Sequence, residues 1–201
     1  MAARGKAVRS AVSSGRHAIT KGMRKTRSIG QDIERWWKVN EVQIPGTQDA
    51  LYRAFLDSLP IGTDFLDEGK QLAKDGKVQD ALAAYAQARQ IDPTLNISAV
   101  DWNQLCWFGS LSGQATAVMK ACQQAVSLNP EDGDIRDSRG LARALAGDTK
   151  GAIEDFSFFV EWTKKTGKRA DLREQREQWI AALKAGKNPF DAETLKKLRE
   201  Q

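Results

Sequence analysis

His17 is the sole histidine of the chain, so a Ser–His–acid triad or a Cys–His pair would have only that one imidazole as its base. It falls in an N-terminal stretch that reads as unstructured, which leaves the base unpositioned. Cysteine is nearly as scarce. Cys106 and Cys122 are the only two, too few for a disulfide framework and, without histidine beside them, a poor zinc set. They read as small buried residues, and a reducing compartment is the simpler setting. No Gly-x-x-x-x-Gly-Lys-Ser/Thr or Gly-x-Gly-x-x-Gly string occurs, which removes the two commonest phosphate-binding loops. No apolar run approaches the roughly 18 residues a membrane-spanning helix needs. The acid pairs Glu131–Asp132 and Glu154–Asp155 fall at a repeat junction and on a helix face, where solvated charge explains them. The expectation is a protein that is not an enzyme, with no cofactor and no metal.

What is present begins with a charge asymmetry. The formal charge is +5, yet residues 1–40 hold ten Lys or Arg against two acids, leaving 21 against 24 for residues 41–201. The basicity belongs to one end. Met1 to Gln31 contains no acid at all, and Gly5, Gly15, Gly22 and Gly30 each weaken a helix there by roughly 1 kcal/mol relative to Ala. Residues 1–45 are therefore expected to form a basic, disordered arm. Four readings of it stay open: an organelle transit peptide, a contact with anionic lipid, a contact with nucleic-acid phosphates, and an inert tail. Trp36 and Trp37 mark where order is expected to begin.

Between residues 60 and 166 one helical-hairpin pattern is written three times. Gly76, Gly113 and Gly147 recur at spacings of 37 and 34. Nine residues after each stand Tyr85, Cys122 and Phe156; twelve after each, Ala88, Ala125 and Phe159; seventeen after the first two, Pro93 and Pro130, with Lys164 in the third copy. Gly69, Ala81 and Ala88 are short where two antiparallel helices must approach closely. Leu51, Phe55, Leu56 and Leu59 share one helical face before Pro60, the pattern of a helix that covers the open end of an array. After Gly167, a stripe of Leu172, Trp179, Ile180 and Leu183 predicts a solvating helix. Asn188–Pro189 then breaks it, and Asp191 caps a last short helix with Leu195 and Leu198 turned inward.

A period of about 34 with these residues resembles the tetratricopeptide (TPR) repeat. The resemblance implies an all-α, TPR-like helical-hairpin solenoid, a right-handed superhelix of about three repeats with capping helices. Its parts are the arm at 1–45, a capping helix and three repeats at 46–166, and C-terminal capping helices at 167–201. Repeat three departs from the pattern, because Arg136, Arg139 and Arg143 stand where Trp, Leu and Tyr are expected. A slipped register with Ile135, Leu141, Ala142 and Leu145 facing inward would accommodate them. The strings Trp102-Asn103-Gln104-Leu105-Cys106-Trp107, Arg136 to Leu145, and Trp179-Ile180-Ala181-Ala182-Leu183 with Gly186-Lys187-Asn188-Pro189-Phe190 look like the C-terminal TPR module of multidomain, chiefly cyanobacterial, WD-repeat, STAND or caspase-like signalling proteins.

That resemblance implies a non-catalytic interaction module, an adaptor or scaffold in the cytoplasm, that holds a protein or peptide partner in a concave groove. By repeat position the groove would present Lys70 and Lys74 from repeat one, Asn103, Trp107 and Ser110 from repeat two, and Asp134 and Asp137 from repeat three. Lysines beside an indole and an amide suit an acidic peptide; Trp107 could equally be core in a shifted register. Leu66, Gln104, Asp134 and Ser138 occupy places of the carboxylate clamp of chaperone-binding TPRs, so chaperone tails are not expected. The alternative is a peripheral membrane- or nucleic-acid-associated protein that works through its basic arm, an anionic surface being the partner of residues 1–40.

Overall fold

A computed structural model describes residues 61–200. The basic arm and the capping helix expected within 46–60 lie outside these residues. In chain order the described elements are α1 (Gly62–Lys74), α2 (Val78–Ile91), α3 (Ala99–Leu111), α4 (Ala115–Leu128), α5 (Gly133–Leu145), α6 (Thr149–Thr166), a 3-10 turn (Ala170–Leu172), α7 (Arg173–Lys184) and α8 (Ala192–Arg199). Among the described residues there are no strands and no helix long and apolar enough to cross a membrane. Helices pair as α1 with α2, α3 with α4 and α5 with α6, and α1, α3 and α5 lie side by side. This is a TPR-like solenoid of helical hairpins.

The three repeat glycines make the three hairpin turns. Gly76, Gly113 and Gly147 have φ of +76°, +76° and +89°, a left-handed backbone that costs glycine little. Each allows the next residue's amide to reach back over the helix end: Lys77 N–H donates to the Leu72 carbonyl at 2.9 Å, Gln114 to Gly109 at 3.0 Å, and Asp148 to Arg143 at 2.8 Å. The same bond in three places fixes the same reversal three times, which is the Schellman form of helix ending. The starts of α3, α5 and α6 are fixed by side chains. Ser98 and Asp101 form a reciprocal capping box on α3, and Asp132 and Asp148 accept from the Ile135 and Gly151 amides.

Small residues set the spacing inside each hairpin. A Cβ on Gly69 would lie 2.6 Å from Cδ2 of Tyr85, and one on Gly140 2.9 Å from the Phe156 ring. The rings then carry packing from hairpin to hairpin: Tyr85 meets Trp102 at 5.1 Å between centroids, and the Tyr85 hydroxyl donates to the Asp101 carbonyl at 2.8 Å. Burial pushes the Tyr85 phenol well above its ordinary value.

Three expectations need correction. Cys106 and Cys122 are buried but not free; they form a disulfide between α3 and α4, with Cα atoms 4.9 Å apart. Antiparallel helices held at close range by the small residues of the hairpin bring the two sulfurs together. Asp155 is not solvated charge, because its side chain is fully buried. Arg139 binds both of its oxygens, and Arg143 and Arg136 add bonds at 2.9 and 3.4 Å. The arginines that break the repeat pattern in α5 thus have their partner in α6. Their face is ionic, while Ile135, Leu141 and Ala142 are buried on the others. Ser110, placed in the groove by repeat count, is fully buried and donates to the Cys106 carbonyl at 2.7 Å.

After Gly167, left-handed at φ +74°, the chain turns and α7 packs along α6. Helix α8 behaves differently. It runs back to lie against α3.

Candidate functional site

The stripe at four-residue spacing on α3, Asn103, Trp107 and Leu111, and the matching stripe on α5, Asp134, Asp137 or Ser138, Leu141 and Leu145, face the same side of the array. At one end of this strip a cleft of about 630 Å³ opens between α3, α5, the α6–α7 connection and α7. Asn103, Trp107, Asp134 and Asp137 all line it, joined by Gln104, Phe108, Leu172 and Arg176 among others. Lys70 and Lys74 do not line it, nor does Ser110.

Each side chain has a definite state. Arg176 is 1% exposed. It grips Asp137 with both ends of its guanidinium, Nε to Oδ1 at 2.9 Å and Nη2 to Oδ2 at 2.7 Å, donates also to Gln175, and lies over the Trp179 ring at 4.2 Å. Asp137 is therefore matched and held, and it builds the cleft floor rather than offering a free charge. Asp134 pairs with Arg169 at 3.2 Å at the rim. Burial pushes its carboxyl above the ordinary value, with Arg169 acting against that. Arg169 takes a left-handed backbone, φ 51°, to reach it. The Asn103 Oδ1 is buried without a hydrogen-bond partner, an acceptor left for a donor to satisfy. Trp107 is half-buried, with one edge against the hydrophobic cluster of Leu111, Leu141 and Phe156 and the other toward the cleft.

The lysines of repeat one serve a different contact. Lys70 bonds Asp67 at 2.6 Å and Asp101 at 3.3 Å. The bond to Asp67 leads in raising its pKa, with burial opposing and Asp101 adding to the rise. That amine is engaged in joining α1 to α3. Lys74 is exposed in the last turn of α1. The cleft thus offers apolar rings and two internally matched ion pairs, with Asp171 as the remaining charge in its lining. No cluster of His, Cys, Asp and Glu suited to a metal ion occurs among the described residues. Arg176 escaped the sequence reading, although it carried a signal. It occupies a helical position inside the apolar stripe of Leu172, Trp179 and Leu183, where a charged side chain requires a buried acid.

No family model matches the chain. In sequence it is similar to human tetratricopeptide repeat protein 36, with 28% identity over 127 residues covering 63% of each protein, so the chain spans less than two thirds of that relative's length. The NMR structure of the first TPR domain of the human RPAP3 protein is a structural neighbour with a TM-score of 0.47 and 18% identity, over 62% of this chain and 96% of that domain.

Proposed function

We propose that the chain is a non-catalytic protein-interaction module, an adaptor or scaffold, and that the cleft between α3, α5 and α7 receives a segment of a partner protein. The observation that carries this reading is the cleft between three helices with the half-buried rings of Trp107 and Phe108 in its lining. Such rings give a docked segment apolar contact area. Because its ion pairs are already matched, the cleft suits a neutral or cationic segment better than the acidic one that free lysines would have favoured. The similarity to a TPR protein supports a protein partner over a small molecule.

The test is affinity capture with the whole chain, beside Asn103→Leu and Trp107→Ala variants checked for helical content. A partner held by the wild type and lost by both folded variants supports the cleft. Identical captured sets from all three overturn it. A second reading rests on the charge of residues 1–40. Binding through that arm would collapse between roughly 50 and 200 mM salt, as phosphate neutralisation does, whereas cleft binding would change little.

A further inference from the structure

Helix α8 has the features of a ligand more than those of a structural wall. It has eight residues, and helices shorter than about 12 residues are marginal in water without a surface to lie on. Only Leu198 on it is buried, at 1% exposure; Leu195 and Thr194 are half-buried, and Ala192, Glu193, Lys196, Lys197 and Arg199 are exposed. Its main helix contact is with α3, far back along the chain, and Leu198 also shares a buried cluster with Trp179 and Leu183 of α7.

What α8 covers is the other end of the cleft's own strip. Leu198 joins Leu111 and Leu141 in one cluster, with Leu195, Trp107 and Leu145 packed against it. Leu111 lies four residues beyond Trp107 on α3, on the same stripe as Asn103. Arg199 then donates to the Leu111 carbonyl at 2.5 Å, one of the last carbonyls that α3 itself cannot satisfy. Phe190, just before the helix, is 4% exposed and wedged against Trp179 at 4.8 Å between centroids. The connection from α7 contains Gly186, at φ +70°, and Asn188–Pro189, so α8 follows a non-helical link anchored at Phe190.

We propose that α8 is a resident occupant of the strip, and that an amphipathic partner helix takes its place there. That helix would present two leucines three residues apart, an arginine directly after the second, and an aromatic residue ahead of them. The inference rests on the reading of this face as the docking surface. It extends that reading by naming the kind of segment docked and the piece of this chain that holds its place.

The probe is a labelled peptide of residues 186–201, titrated into the full chain and into a full-length Leu195→Glu, Leu198→Glu variant whose α8 cannot dock. A site occupied in cis binds an external ligand more weakly by the fraction of chains in which it is free, so the peptide should bind the variant at least about tenfold tighter than the wild type. A peptide carrying Leu198→Glu should bind neither. Equal affinity for both chains, or binding to neither while the variant keeps its helical content, overturns the proposal. If the variant unfolds, native-state hydrogen exchange on the unaltered chain decides the matter. Amides of α8 should then exchange at least about a hundredfold faster than those of α5, as expected of a unit that opens by itself, and equal protection overturns the proposal. The two readings fail separately: peptide exchange with no partner lost on Asn103→Leu retains this inference and removes the cleft, and the converse removes this inference alone.

Discussion

Arg139 holds Asp155 through both carboxylate oxygens, Nε to Oδ2 at 2.7 Å and Nη2 to Oδ1 at 2.6 Å, with Asp155 fully buried between α5 and α6. Removing the acid leaves three guanidinia facing one another in a site built for their shared partner. Asp155→Ala should cost about 3 kcal/mol, toward the low end for breaking a buried pair because the arginines keep some contact with water. Arg139→Leu should cost less, about 1–2 kcal/mol, since Arg136 and Arg143 stay on the carboxylate. Urea unfolding followed by circular dichroism measures both. An Asp155→Ala protein within about 0.5 kcal/mol of wild type would reduce the cluster to ordinary surface charge.

The Cys106–Cys122 bridge closes a loop with a sequence separation of 16. A loop of that size restricts the unfolded chain by about 3 kcal/mol in the chain-entropy account. Reduction, or Cys122→Ala, should lower stability by about 2–3 kcal/mol and leave the helices in place. Thiol titration of protein unfolded without reductant should find no free thiol. Two free thiols would restore the sequence reading of a reduced pair, which is what a reducing compartment maintains.

Gly69 and Tyr85 test the spacing inside the first hairpin. A methyl group at Gly69 would sit 2.6 Å from the Tyr85 ring, so Gly69→Ala should destabilise by about 1–3 kcal/mol through overpacking. Gly69→Ala combined with Tyr85→Leu should recover part of the loss. If the single variant unfolds at the wild-type midpoint, the close approach of α1 and α2 is not a constraint.

Asp101 makes stability depend on pH in a definite direction. Burial works to raise its carboxyl, but the hydroxyl and amide of Ser98, together with Lys70, outweigh it and hold the group below its ordinary 3.8. The folded chain therefore favours the ionised form, and the contribution is complete above the ordinary value and lost as pH falls through the lower folded one. The stability difference between wild type and Asp101→Asn should stay level from pH 7 to about 5 and shrink below about pH 4. Asp134, raised by burial, should give the opposite slope against Asp134→Asn: its contribution is present below the ordinary value and lost as pH rises through the folded one. Matching slopes for the two variants would contradict the assigned environments.

Much of the hairpin architecture was legible because it is written in local terms. Gly76, Gly113 and Gly147 announce left-handed turns, and Gly69 and Ala81 announce close helices, without reference to anything far away. Asp155 was not legible: a helical face can be drawn from spacing, but its three arginine partners lie 12 to 19 residues away across a turn, and an acid beside Glu154 reads as surface. For the same reason counting along the repeat puts Ser110 in the groove beside Asn103 and Trp107, whereas it is buried against the Cys106 carbonyl. Apolar spacing turns Leu195 and Leu198 inward, and Leu198 is buried with Leu195 half-buried, since such spacing shows that a helix needs a surface. Which surface it meets is a property of the whole chain, and α3 supplies it.

The clasp from Arg199 to Leu111 spans 88 residues, where the largest helix contacts among the described residues are within hairpins and between successive ones. Arrays of that kind can begin folding at any hairpin and spread from there. Closing so long a loop costs entropy that grows only slowly with its length, and the expectation is that α8 docks after the third hairpin and α7 have brought its ends together. On that expectation, a chain with its last helix seated is one whose intervening hairpin is already complete.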